Sequence, residues 1–171
     1  MILRLSQKLN AKIKGGNLSS MPLDENPLAD WSAHLFVVDR TQYILVSNTK
    51  SLYSVVLYAK GSTNDSHLIE RVMSNLRGFM EYDGLAFAYH RFIAPATASV
   101  RFAKALDRSV TGSMNELIVF ATAILLEGEL SPYDVGFKIN NMLLSAIAPS
   151  KSEKYAKPKN AFQDLVDGVG S

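Results

Sequence analysis

Three β-rich runs separated by two short polar breaks constrain this chain more than any other feature. They are Trp31-Ser-Ala-His-Leu-Phe-Val-Val, Tyr43-Ile-Leu-Val-Ser and Leu52-Tyr-Ser-Val-Val-Leu-Tyr, with Asp39-Arg-Thr-Gln and Asn48-Thr-Lys-Ser between them. Breaks this short leave room for hairpins only, so residues 31–59 are predicted to form an antiparallel meander. Leu35-Phe36-Val37-Val38 and Val55-Val56-Leu57 are apolar at consecutive positions, which requires cover on both faces of the sheet. Helices must supply that cover.

Two apolar helical patterns are available for it. Leu68, Ile69, Val72, Met73, Leu76, Phe79 and Met80 recur at the helical period after Asp65-Ser66, and Gly84 ends the run. Leu117 to Leu126 is apolar throughout and predicts a helix over 114–127 that has no polar face and so lies at the centre of the domain. Ser113 and Glu116 stand at capping-box spacing before it, and Gly128 follows it. A further helix is expected after Ser131-Pro-Tyr-Asp, although Val135, Phe137 and Ile139 alternate as a strand would. Residues 2–5 read as a short strand entering a basic helix from Ser6 to Lys14, and 99–105 as another strand. Residues 85–95 fit either a short helix or a strand, and 15–30 have the Gly, Pro and Asn content of a flexible surface loop. The fold class is therefore α+β, an antiparallel sheet of the meander plus flanking strands packed against helices. Residues 1–150 make the single domain, and 151–171, with Lys151, Lys154, Lys157 and Lys159, read as a basic, mobile tail.

The 171 residues suffice for one core, and 47% hydrophobic content at net charge +2 lies far from the disordered class. The absence of cysteine excludes disulfides, a thiolate nucleophile and Cys-ligated metal. Arg4 and Gln7-Lys8 interrupt any signal-peptide core, and the apolar run 117–126 has about half the length of a bilayer span, so a cytoplasmic, non-membrane location is the default expectation.

No catalytic constellation is evident. His34, His67 and His90 fall on three different elements without metal-ligand spacing, and neither a nucleophile elbow nor a phosphate loop occurs. No metal or cofactor is expected, and whether the protein is an enzyme stays open, with a non-enzymatic reading preferred. One segment, Asp107-Arg-Ser-Val-Thr-Gly-Ser-Met-Asn115, gathers a cation, hydroxyls and an amide just ahead of the apolar helix, where unpaired N–H groups favour an anion. Either an anion sits there or Asp107, Ser109 and Ser113 satisfy those groups themselves. The candidate ligand-binding residues are Arg108, Ser109 and Asn115, joined by Trp31, as a stacking surface, and Arg40 in the first meander turn. Nucleic acid is the weaker partner class, through Lys8, Lys12, Lys154 and Lys157 if the two basic ends share a face. A protein partner or a second copy of the chain is the other.

The Trp31-x-Ala-x-Leu-x-x-x-Asp-Arg run, Asn48, the Leu-Tyr-Ser-Val-Val-Leu strand and Asp107-Arg-Ser-Val-x-Gly-Ser-Met-Asn-Glu together resemble an uncharacterised bacterial domain family of unknown function. Ile139-Asn-Asn and Tyr155-x-x-Pro158 with Phe162 are similar to its closing pattern. The resemblance implies a Trp-led meander preceded by a strand and a Lys-Leu helix, and it carries no catalytic role. The expected function is a binding or accessory module using 108–115 and the meander turns. The alternative is an enzyme or anion-binding protein acting there on a phosphorylated or nucleic-acid ligand.

Overall fold

A computed structural model describes residues 1–171. The meander forms as β2 (Asp30–Val38), β3 (Thr41–Asn48) and β4 (Ser54–Tyr58), paired antiparallel with Val38 opposite Thr41 and Ser47 opposite Ser54. The first break contracts to the two-residue turn Asp39-Arg40, both at positive φ (45° and 65°), the geometry that matches strand twist. The second is closed by Asn48, whose Oδ1 accepts from the Ser51 amide and hydroxyl at 2.9 Å.

The flanking strands are parallel, not antiparallel as the sequence suggested. β1 (Ile2–Leu5) inserts between β2 and β5 (Arg101–Ala103) and runs parallel to both, giving the order β4-β3-β2-β1-β5 and an α+β fold with a mixed sheet. The reason lies in the connection: α1 (Gln7–Lys12), capped by Ser6, leads away from the end of β1, and the chain then returns to start β2 at the same end of the sheet as β1.

One face of the sheet carries Leu3, Trp31, Ala33, Ile44, Val46, Val55 and Leu57 against Leu9 of α1 and Leu68, Val72, Leu76 and Phe79 of α2 (Asp65–Tyr82). The ambiguous segment after α2 is helical, a turn α3 (Ala86–Ala88) continuing through π and 3₁₀ turns to Ala98. The other face carries Phe36, Val38, Tyr43, Leu45 and Val56 against α4 (Arg108–Glu127) and α5 (Pro132–Ile139). Residues 135–139 are thus helical, with Val135 and Ile139 four apart in that core. At the β4 edge, the Asn140 side-chain amide donates to Ser54 O at 2.8 Å and accepts from Ser54 N at 2.7 Å, so a side chain stands where a sixth strand would pair.

Three sequence expectations change. Residues Pro158–Gly170 form α6, whose Phe162 is fully buried, stacked on Tyr53 at 4.7 Å and 6.0 Å from Trp31, so the end of the expected mobile tail is part of the core. Ala161-Phe-Gln-Asp-Leu-Val is weakly amphipathic in sequence, and its apolar side is what docks. α4 is not the centre of the domain either: it lies on one face of the sheet through Ser113, Met114, Leu117 and Ala121, while Val119 and Leu126 are 66% and 62% exposed. By length and composition this helix is apolar enough to cross a membrane. Finally, the loop over 15–30 is pinned. Arg4, buried in β1, donates from Nε and Nη2 to the Asp30 carboxylate at 2.8 Å each, and from Nη1 and Nη2 to the carbonyls of Met21 and Pro22 at 2.9 Å. Every face of this guanidinium is occupied, which is the condition under which a buried ion pair is tolerated.

Candidate functional site

The adjacent parallel strands β1 and β5 leave the sheet in opposite directions. From Leu5 the chain enters α1 on the Trp31 face, and from Ala103 it enters α4 on the Phe36 face. The carboxyl ends of two such strands frame a crevice, the position at which open sheets with parallel strands bind ligands. A cavity of about 950 Å³ occupies it, floored by Leu5, His34 and Leu35 and walled by α1, Gly15–Leu18, Lys104-Ala105 and the α4 residues Thr111, Asn115 and Ile118. β1 ends opposite Ala33, so β2 from His34 onward has no strand on this side, and that gap is the cavity floor.

His34 is the central polar group. It is 7% exposed, makes no hydrogen bond to the protein, and burial holds its imidazole pKa below the ordinary value. A neutral imidazole offers one donor and one acceptor, and here both are available to the cavity. Asn10 is spent within the wall itself, its Nδ2 donating to Gly16 O at 2.9 Å and its Oδ1 buried against Gly15. Lys8 and Lys104 stand on the lining, neither ion-paired, and no carboxylate does. The lining therefore combines hydrogen-bonding groups with uncompensated positive charge.

Of the residues expected from sequence to bind a ligand, Asn115 lines this cavity and the others do not. The segment 108–115 is not a loop ahead of a helix. Asp107 caps α4, its Oδ1 accepting from Val110 N at 2.9 Å, so the segment forms the first two turns. The expected capping box at Ser113 and Glu116 is replaced accordingly, Ser113 Oγ donating to Ser109 O at 2.9 Å inside the helix. Arg108 and Ser109 are exposed in its first turn, and Arg108 is about 10 Å along the axis from Asn115. Trp31 is fully buried, with its Nε1 donating to Leu28 O at 2.8 Å, and offers no stacking surface. Arg40 lies elsewhere, in a cleft with Lys12.

Lys8 lines this cavity, Lys12 the Arg40 cleft and Lys157 a third beside α6, and Arg4 is consumed in the core. The histidines do not gather: His67 bonds Thr63 Oγ1 at 2.8 Å and His90 bonds Glu81 at 2.9 Å. Sequence spacing sets His34 aside as a metal ligand, and its value as a cavity group depends on β1 ending early beside it, a long-range pairing. The one local signal was a histidine directly ahead of the apolar run Leu35-Phe36-Val37-Val38.

No curated protein and no solved structure matches the chain. One family model does, over residues 2–161, taking in all five strands and every wall of the cavity. The chain thus belongs to the family described as a domain of unknown function, DUF6933.

Proposed function

We propose that this protein is a binding module that holds a small anionic metabolite in the cavity between α1 and α4. The observation that carries this reading is His34, an imidazole buried on the cavity floor with no partner in the protein. Its ring nitrogens are unbonded to the protein yet open to the cavity, so a ligand that accepts or donates a hydrogen bond there replaces only water, at a position shielded on its other sides. Lys8 and Lys104 select negative charge, and Asn115 supplies neutral hydrogen bonds that fix orientation. Binding without turnover fits the lining better than catalysis. It holds no carboxylate, and neither Ser6 nor Thr111 bonds to His34; Ser6 Oγ accepts from Leu9 N and Thr111 Oγ1 donates to Asp107 O.

The test is a thermal-shift screen of mono- and dicarboxylates, sugar phosphates and nucleotides, followed by titration calorimetry on the compounds that stabilise the protein. His34→Gln and Lys104→Ala are each expected to weaken binding about tenfold or more, the equivalent of one charge-assisted or buried hydrogen bond. Arg108→Ala, outside the cavity, is expected to leave it unchanged. A ligand whose affinity falls with Arg108→Ala and is indifferent to His34→Gln would move the site to the start of α4 and end this reading.

A further inference from the structure

A second cleft, of about 850 Å³, opens at the far end of the Trp31 face, between α1, the β2–β3 turn and α2. Four of the seven residues around it are cations, Lys12, Arg40, Lys60 and Arg71, and none is acidic. No ion pair involves any of the four. Two are held by neutral partners that leave their charge uncompensated: Arg71 Nη2 donates to Tyr58 O at 2.7 Å, and Lys12 Nζ donates to Gln42 Oε1 at 2.9 Å. Arg71 Nε is buried there without a partner. Arg40 occupies the second position of a turn whose φ of 65° suits glycine, so a side chain stands at a site where backbone preference argues against one. Convergent like charges repel, and no carboxylate lines the cleft to offset them.

We propose that this cleft binds a compact oligophosphate, a chain of two or more linked phosphoryl groups. Four cations around one concavity match several charges a few ångströms apart, where a nucleic-acid backbone calls for cations spread along a face. Guanidinium groups at Arg40 and Arg71 offer paired donors to phosphoryl oxygens, and the two lysines add charge. The linked phosphates of a nucleotide and a free inorganic polyphosphate share this chemistry.

Titration calorimetry with inorganic triphosphate and with orthophosphate, at low and at raised salt, tests the assignment. Triphosphate is expected to bind one to one, at least about tenfold tighter than orthophosphate, and to weaken steeply with salt. The exposed double variant Arg40→Ala/Lys60→Ala is expected to lose about tenfold or more while keeping its melting temperature, and His34→Gln is expected to bind triphosphate normally. Adenosine triphosphate tighter than triphosphate would identify a nucleotide as the source, and equal affinity would identify the phosphate chain alone. Equal affinity for orthophosphate and triphosphate, an unaffected double variant, or binding of a mixed-sequence oligonucleotide without binding of triphosphate would overturn the proposal. Because the His34 cavity and this cleft are probed by different variants, failure at one leaves the other standing.

Discussion

A protonated His34 would have to give up its hydration on the cavity floor without gaining a counter-ion, since no carboxylate lines that wall. Burial therefore lowers its pKa in the folded chain from the ordinary value of 6.5. Between that lowered value and 6.5 the unfolded chain binds a proton that the folded one does not, so stability falls as pH drops through this window. One proton limits the slope to about 1.4 kcal/mol per pH unit. Chemical denaturation from pH 7 downward should show this component in the wild type and lack it in His34→Gln; a slope that survives the substitution would assign the titration to another group. At this scale the sequence was least informative. Trp31 looks like a surface candidate because it is an aromatic at a strand start, and Arg4 reads as a break in an apolar run, yet both are buried, each with its polar atoms satisfied. Burial depends on partners distant in sequence, and those are set by topology.

Local chemistry was far more legible at the level of elements. The meander, α2 with its stop at Gly84, and the Ser131 cap of α5 all follow from patterns within a few residues of one another. The start of α4 did not, because two side chains six residues apart, Asp107 and Ser113, both qualify as caps and the sequence does not rank them. The structure gives the role to Asp107. Asp107→Ala should then cost about 1 kcal/mol. Ser113→Ala, which removes only a hydroxyl bonded back to the helix, should be neutral or slightly stabilising, since alanine is the better helix former. Urea titrations of both variants check this, and the reverse order of effects would return the cap to Ser113. The same shift explains why 108–115 is dispersed as a site: residues that look adjacent in a loop point in different directions around a helix.

Across the whole molecule, the core spans nearly the full sequence. Phe162 closes it against Trp31 and Tyr53, so Phe162→Ala should cost about 3–5 kcal/mol of unfolding free energy in denaturant titration, as a large buried aromatic does. A detached tail would give a change near zero. The α+β class was readable from the sequence, whereas the parallel insertion of β1 was not, since no local pattern says which strand pairs with residues made so much later. That insertion gives the protein a timetable during synthesis. Residues 2–5 emerge ahead of one of their two neighbours, residues 101–103, which at ordinary rates of translation follow about five to twenty seconds later. For that interval β1 can serve only as the border of an unfinished sheet. Its single charged side chain, Arg4, is the kind of residue that discourages a border strand from pairing with a neighbouring chain. The same guanidinium later bonds Lys104 O at 3.2 Å, just past the strand that completes the sheet.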